Sequence, residues 1–305
     1  MTVEQTGANH SESTGIAILA GGGSLPVEAA HAARAAGHRV LMIALADEAD
    51  LDPLDDSFTK ERVAWGQFGT LFKLLDTYGA SRLVIVGSIT KRPEFGDVKL
   101  DWGAVQLLPK LTAILFGGGD TVLLDRLAKL FSDRGVVLAG VHEIAPDLVA
   151  GVGHLAGPKP SSALMEDAEK AAHAAWTAGA IDLGQGAIAA GGRLIAMEGA
   201  EGTDGLLERT AHMRSAKRFS IQGKVGAIAK CPRPDQDLRL DMPAIGPKTV
   251  VGATRAGLHA IVVEAGKVLV SLKGETMEAC VEHGVSLIGL QRADFVPPGR
   301  TDKLQ

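Results

Sequence analysis

The segment GIAILAGGGSLPVEAAHAARAAGHRVLMIAL, residues 15–45, constrains the fold more than any other part of the chain. An apolar stretch passes through three glycines into an alanine-rich segment, stops at Gly37 and returns to a second apolar stretch. Near-continuous apolar runs of this length are strands covered on both faces, and a helix-length connection between them makes the pair parallel. The spacing therefore predicts a βαβ unit. Pro26 falls in the first helical turn, where a missing N–H does no harm, and Gly37 falls where a left-handed cap ends a helix. RLVIVGSI (82–89) predicts a third buried strand. TVLLDRLAKLFSDRG (121–135) predicts a helix whose Leu123, Leu124, Leu127, Leu130 and Phe131 share one stripe. VVLAGVHEI (136–144) predicts a further strand, with the His142-Glu143 pair at its end.

Residues 15–150 thus read as a Rossmann-like, doubly wound α/β domain. Residues 1–14, polar and without periodicity, read as a disordered leader. GVGHLAGPKPSSALM (151–165) concentrates Gly, Pro and Ser and reads as a linker. Beyond it come a helical segment at 166–180, short strands such as AIAAGGRLIAMEG, a polar helix near 203–215, the aspartate-rich segment and then VVGATRAGLHAIVVEAGKVLVSL. Residues 166–292 form a second α/β domain that does not repeat the first, and 293–305 a tail.

The 305 residues are enough for two cores of ordinary size. A net charge of −5, with no long Lys/Arg run, argues against nucleic acid as a partner. Cys231 and Cys280 are too few and too far apart for a disulfide framework or a four-cysteine zinc site. The N-terminus lacks an apolar targeting core, and no apolar run approaches the ~20 residues that span a bilayer. These features predict a cytosolic protein. The 38 glycines, against 12 aromatic residues, point to tight turns and to chemistry carried by backbone amides.

Three segments concentrate chemistry. Gly21-Gly22-Gly23-Ser24-Leu25-Pro26 lies between strand and helix, where backbone N–H groups and the helix dipole hold a phosphate. A dinucleotide fingerprint would place a third glycine where Pro26 stands, and only Asp47 or Glu48 loosely matches its acidic ribose ligand. A nicotinamide-dependent oxidoreductase is therefore a runner-up, and a turn that merely lets helix pack on strand stays open. In PDQDLRLDMPAIG (234–246), Asp235, Asp237, Arg239 and Asp241 alternate with Gln236, Leu238 and Leu240. On an extended strand the four charges share one face, which is costly unless water dilutes them or a cation gathers them. In MEGAEGTDGLLER (197–209), Glu198, Glu201 and Asp204 recur every three residues, and Thr203 is placed to cap the helix that follows. Two acidic clusters in one domain suit Mg²⁺, which takes one or two carboxylates together with phosphate oxygens. Lys230 and Arg233, just upstream of the aspartates, would neutralise phosphate. Asp120, in Gly118-Gly119-Asp120-Thr121, reads as a cap for the Leu-rich helix. A Walker A loop, a G-x-S-x-G elbow and an H-E-x-x-H pair are all absent from the sequence.

Seven segments, in order, carry a resemblance over about 16–290: AGGGSLP (20–26), GSITKRP (87–93), GGDTVLL (118–124), IDLGQGAI (181–188), EGAEGTD (198–204), KCPRPDQDLRLDMPAIGPKTV (230–250) and VVEAGKVLV (262–270). The chain resembles the UDP-2,3-diacylglucosamine pyrophosphatase family of lipid A biosynthesis, found in bacteria that lack the more widespread metallophosphoesterase. The resemblance implies two α/β domains with the substrate between them. It also implies Mg²⁺-dependent hydrolysis of UDP-2,3-diacylglucosamine to UMP and 2,3-diacylglucosamine 1-phosphate, with water attacking the sugar-side phosphorus. Asp241 falls on the essential aspartate of the family's D-x-P-x-I-G motif, with Asp237 and Lys230 in supporting catalytic roles. The implied metal ligands are Asp241, Asp204 and Glu201. Substrate contacts are expected from Gly22, Gly23, Ser24, Leu25, Pro26, Ser88, Arg92 and Asp120 in the first domain, and from Gln185, Gly202, Thr203 and Arg233 in the second. SITKRP is one residue longer than the family's N-V-S-R-P pattern, and Asp120-Thr121 replaces a common Asp-Asp. A lipid-linked UDP-sugar implies peripheral contact with the cytoplasmic face of the inner membrane. A homodimer stays open, as does a non-catalytic protein that binds nucleotide-sugar or lipid.

Overall fold

The computed structural model describes residues 15–89, 98–105, 120–220, 223 and 225–296, with side chains from 126 onward in the helix that opens at 120. The expected leader and the end of the expected tail lie outside these residues. The chain divides into two compact units, Met1–Ala139 and Gly140–Gln305.

The first unit is a five-stranded parallel sheet of β1 (Gly15–Ala20), β2 (Arg39–Leu45), β3 (Thr59–Val63), β4 (Ala80–Val86) and β5 (Val137–Ala139), in the order β3-β2-β1-β4-β5. All six residues of β1 are buried, as its unbroken apolar run requires. Helices α1 (Leu25–Ala35), α2 (Phe68–Tyr78) and α3 (Asp120–Ser132) connect the strands. The step from β1 to β2 runs one way across the sheet, while β3 to β4 and β4 to β5 run the other. Right-handed crossovers therefore put α1 on one face and α2 with α3 on the opposite face. Phe72 of α2 meets Phe131 of α3 with ring centroids 5.3 Å apart, as neighbours on one face should. The strand order reverses between β1 and β4, so the loops after these two strands flank the switch point.

The second unit opens with a helical turn, α4 (Val141–Ile144), in which the Glu143 carboxylate accepts from the Gly140 N–H at 2.7 Å. The expected strand therefore stops at Ala139, and the His142-Glu143 pair is helical. The six-stranded sheet has the order β6-β13-β11-β9-β7-β8. Its strands are β6 (Gly153–Ala156), β7 (Gly186–Ala190), β8 (Arg193–Met197), β9 (Ala227–Lys230), β11 (Ala260–Glu264) and β13 (Ser286–Leu290). The central β9, β11 and β13 are parallel, and the outer strands are antiparallel. Two short strands, β10 (Ala244–Ile245) and β12 (Leu269–Val270), pair separately. Helices are α5 (Ser162–Ala180), α6 (Gly202–Ser215), α7 (Pro247–Ala256), α8 (Lys273–His283) and the short α9 (Arg292–Phe295).

The two cores of this unit follow strand alternation. Ala187 and Ala189 of β7 pack with Ala168, Ala171, Ala172 and Ala175 of α5, while Ile188 points to the opposite core with Leu206, Leu207 and Val250. An alanine stripe at helical spacing lets α5 lie close on a sheet face that is itself rich in alanine.

Residues 151–165 are not a linker. They contain β6, which pairs with β13, and Ser161, whose hydroxyl caps α5 by accepting from Leu164 N–H at 3.2 Å. The preceding Ala150 already donates its N–H to Val268 at 2.9 Å and belongs to the second core, so the units divide at 139 rather than 150. Gly, Pro and Ser mark the turns on either side of a short edge strand here, and composition does not separate that from a tether.

Asp167 of α5 is wholly buried. Its carboxylate accepts from the N–H groups of Gly191 (2.9 Å), Gly192 (2.7 Å) and Gly226 (3.0 Å), which clamps the β7–β8 turn and the entry to β9. Asp167→Ala should cost about 3 kcal/mol by orphaning these amides, and Asp167→Asn less. Urea denaturation of the two variants measures the order.

Candidate active site

Lys230 is the last residue of β9, at the carboxyl end of a parallel strand. Its ammonium donates to Thr203 Oγ1 at 2.7 Å, and that hydroxyl donates to Glu198 Oε2 at 3.2 Å. Thr203 stands in the first turn of α6, and Glu198 directly follows β8. The sequence makes room for this carboxylate with two glycines. A Cβ at Gly186 would lie 2.3 Å from Glu198 Oε2, and one at Gly184 would lie 2.4 Å from the Glu198 carbonyl oxygen. Burial pushes the Lys230 ammonium below its ordinary pKa, against the pull of Glu198, Asp204 and Asp241. Burial pushes Glu198 up, and Lys230 and the Thr203 hydroxyl oppose it. One half-buried cation therefore lies within electrostatic range of three carboxylates drawn from two segments, 197–209 and 234–246.

The aspartate segment is a series of turns, not a strand. The N–H groups of Leu240 and Asp241 both donate to the Asp237 carbonyl at 3.1 Å, so the four charges do not line one face. Asp237 is held by Arg239, whose Nε and Nη2 reach its two oxygens at 2.9 and 2.6 Å. That guanidinium keeps the Asp237 carboxyl below the usual range. Asp241 is exposed. Gln236 Nε2 donates to its Oδ2 at 2.5 Å and to its carbonyl oxygen at 2.7 Å, and Arg233 Nη2 lies 3.9 Å from Oδ2. Arg233 also pairs with Asp182, and its backbone crosses α5 at Gly179, where a Cβ would stand 3.1 Å from the Arg233 Cα.

The structure gathers Lys230, Thr203, Asp204, Asp241 and Arg233 about the end of β9, but it distributes the other expected residues differently. Glu201 is engaged by Arg209 at 2.6 Å, and its own backbone N–H and that guanidinium lower its pKa. Among the described residues no group of three acidic, histidine or cysteine side chains is arranged to hold a metal, so Glu201, Asp204 and Asp241 do not form a ready-made cage. Asp204 and Asp241 are both exposed and both within electrostatic range of Lys230. The Gln185 amide is directed at Gln236 Oε1, at 2.9 Å. Gly202 opens α6 at φ 72° with open space around it. Thr203 uses its hydroxyl on Lys230 and Glu198, and the N-cap position belongs to Glu201.

In the first unit, Gly22 and Ser88 exchange backbone hydrogen bonds at 2.7 and 2.9 Å, and Gly21 N–H donates to Val86 at 2.8 Å. A Cβ on Gly21 would stand 2.7 Å from the Ser88 carbonyl oxygen, and one on Gly87, at φ 106°, would stand 2.6 Å from the Gly21 carbonyl carbon. The first two glycines thus serve the crossing of two loops, and the Gly22 amide is not offered to an anion. Gly23, Ser24, Leu25 and Pro26 form the start of α1 at the switch point. Asp120 is the first residue of α3. Arg92 lies outside the described residues.

Gln236 joins the site without having been singled out, and Glu198, noted in the sequence only as part of an acidic cluster, joins it as the counter-charge to Lys230 through Thr203. The Gly-Gln-Gly of IDLGQGAI signals Glu198 only in hindsight, because the glycines precede it by 12 residues or more. Gln236 carries no charge and stood in the pattern as a spacer. Cys231 is buried with its thiol pushed far up by burial, and Cys280 is pushed up to about 11, so neither is a nucleophile.

Two family models match the chain, the LpxI N-terminal domain over residues 15–148 and the LpxI C-terminal domain over residues 151–288. The UDP-2,3-diacylglucosamine pyrophosphatase LpxI of Caulobacter vibrioides is 35% identical over 275 residues, covering 90% of this chain and 97% of that protein. Among solved structures, glycinamide-RNase-transformylase T from Mycobacterium tuberculosis aligns at a TM-score of 0.23 and 13% identity over 61% of this chain and 44% of that one, too slight a likeness to bear on fold or function.

Thr203→Val should leave the Lys230 ammonium and Glu198 carboxylate without their bridging hydroxyl, at a cost of about 1–3 kcal/mol, whereas Thr203→Ser should retain most of the wild-type stability. Denaturation midpoints of the two variants compare them directly.

Proposed function

We infer, because the chain belongs to the LpxI family, that it hydrolyses the pyrophosphate of UDP-2,3-diacylglucosamine to UMP and 2,3-diacylglucosamine 1-phosphate, a step of lipid A biosynthesis. The observation that carries the reading to particular residues is the Lys230 ammonium at the end of β9, with the exposed Asp204 and Asp241 within its electrostatic range. A pyrophosphate diester carries negative charge on the oxygens around the bond to be broken, and that charge grows on the leaving phosphate in the transition state. Lys230, in surroundings drier than water, neutralises it more strongly than an exposed lysine would. Arg233 adds a second cation at the rim.

In the proposed reaction, water attacks the sugar-side phosphorus and gives its proton to the solvent or to Asp241. The bond from that phosphorus to the bridging oxygen breaks, and UMP departs with the bridging oxygen. Asp241 orients the water. The donor set also fits Mg²⁺, which Asp204 and Asp241 would hold. When bound, the ion supplies further neutralisation of the pyrophosphate oxygens. Glu201, tied to Arg209, is left out of this set. Asp237, neutralised by Arg239, shapes the loop that presents Asp241. Within the first unit, the start of α1 is a helix N-terminus suited to a phosphate. Two acyl chains keep the substrate in a leaflet, so the protein meets it by peripheral contact at the cytoplasmic face of the inner membrane. No helix among the described residues is long and apolar enough to cross a membrane.

Incubation with UDP-2,3-diacylglucosamine in ¹⁸O-labelled water should yield UMP and labelled 2,3-diacylglucosamine 1-phosphate by mass spectrometry. Excess EDTA should stop the reaction and added Mg²⁺ restore it. Label in UMP would reverse the attacked phosphorus, and full turnover in EDTA would remove the metal.

Asp241→Ala should fold and retain substrate while kcat falls by about 10²- to 10⁴-fold, the range for loss of a catalytic proton-transfer group. Steady-state kinetics, together with mass analysis of lipid bound to the purified variant, test both halves of the expectation.

A further inference from the structure

We propose that Gln236 is a positioning residue for Asp241, fixing the carboxylate for the hydrolytic step; this rests on the assignment of Asp241 to that step. The Gln236 amide has four partners. Its Oε1 accepts from the Arg233 backbone N–H at 2.9 Å and from Gln185 Nε2 at 2.9 Å. Its Nε2 donates to the Asp241 carbonyl at 2.7 Å and to Asp241 Oδ2 at 2.5 Å. A side-chain amide has two donor hydrogens and two acceptor lone pairs, so its capacity is filled within the protein. The orientation has one solution, because a backbone N–H only donates and a carboxylate only accepts. Such a group does not bind substrate without releasing a partner; what it does is hold something else in place.

What it holds is a carboxylate that has little other restraint. Asp241 is exposed, and its nearest cation, Arg233 Nη2, stands 3.9 Å away and is shared with Asp182. Among the described residues both side-chain contacts of Asp241 fall on Oδ2, which leaves Oδ1 for water. The anchor at the other end is rigid. Gln185 precedes β7, and its carbonyl accepts from the Cys231 N–H at 2.9 Å, so Gln185 is tied to the residue that follows β9. The path from sheet to carboxylate is thus Gln185, Gln236, Asp241, each step a hydrogen bond. A glutamine serves here because its amide accepts two hydrogen bonds through Oε1, from Arg233 and Gln185, while Nε2 donates two to Asp241.

The deciding variant is Gln236→Glu. It is nearly isosteric and keeps the acceptor toward Arg233 and Gln185, but it replaces the donor toward Asp241 with an acceptor. The structure leads us to expect a fall in kcat of about 10- to 100-fold, with KM and melting temperature close to wild type. Gln236→Ala should fall likewise. In an Asp241→Asn background, Gln236→Ala should cost little more, because the two act as one unit. Gln185→Ala, which removes only the anchor, should show a smaller fall in the same direction and serves if a Gln236 variant does not fold. Wild-type kcat in Gln236→Glu, or a loss that appears as raised KM with a lowered melting temperature, would overturn the positioning role. Full activity of Asp241→Ala would instead overturn the assignment of Asp241, a separate result.

Discussion

The structure around the end of β9 depends on one half-buried ammonium. Taking a lysine out of water costs several kcal/mol unless counter-charge and hydrogen bonds meet it. Lys230 is met by Thr203 directly and by Glu198 through that hydroxyl. Each partner makes its own demand on the chain. Glu198 needs the space left by Gly184 and Gly186. Thr203 needs α6 to begin at Gly202, whose φ of 72° turns the chain into the helix. The neighbours of β9, parallel β11 and antiparallel β7, fix where Lys230 ends, and Asp167 fixes where β9 begins, through Gly226. A local electrostatic requirement is thereby distributed over segments from 184 to 230, which is why their residues are intelligible only together.

How much of this was legible in the sequence follows from the range of each interaction. The βαβ unit at 15–45 is written in consecutive residues, because a covered parallel strand must be apolar at every position. The α5 stripe of Ala168, Ala171, Ala172 and Ala175 is equally local. The strand β6 was not legible, because four residues on a sheet edge beside glycines and prolines carry no period of their own. The alternation at 235–241 suggested one charged strand face, yet Asp237 reaches Arg239 two residues on and its carbonyl caps a turn. Local side-chain pairing of Asp competes with extended structure, and a proline two residues past Asp241 ends the segment. Among the site residues, Lys230, Thr203, Asp204 and Asp241 were found by motif and charge density. Gln236 was missed because its meaning lies in Gln185, 51 residues away.

The glycine turn shows how one pattern serves two physical ends. GGG after a strand suggests an anion-binding loop because bare amides and a helix N-terminus come together there. The same absence of Cβ atoms lets two loops cross, and Gly21, Gly22 and Gly87 are used in that way. The crossing ties the loop after β1 to the loop after β4 at the reversal of strand order, so it builds the rim of the crevice in which α/β sheets receive ligands. The first two glycines thus shape the place, and the stretch from Gly23 into α1 supplies the dipole.

The charge balance of the second unit carries the last step. Around Lys230 stand Glu198, Asp204 and Asp241, while Arg209 is engaged with Glu201, Arg239 with Asp237 and Arg233 with Asp182. The side chains facing the end of β9 thus hold more negative charge than positive. A pyrophosphate brought there alone would meet carboxylates as well as the ammonium, and like charges at such distances repel by more than one cation offsets. The divalent ion proposed above would be a favourable partner for the substrate and for Asp204 and Asp241 alike. Side chains this short of positive charge are the physical support for the proposal that Mg²⁺ accompanies the pyrophosphate.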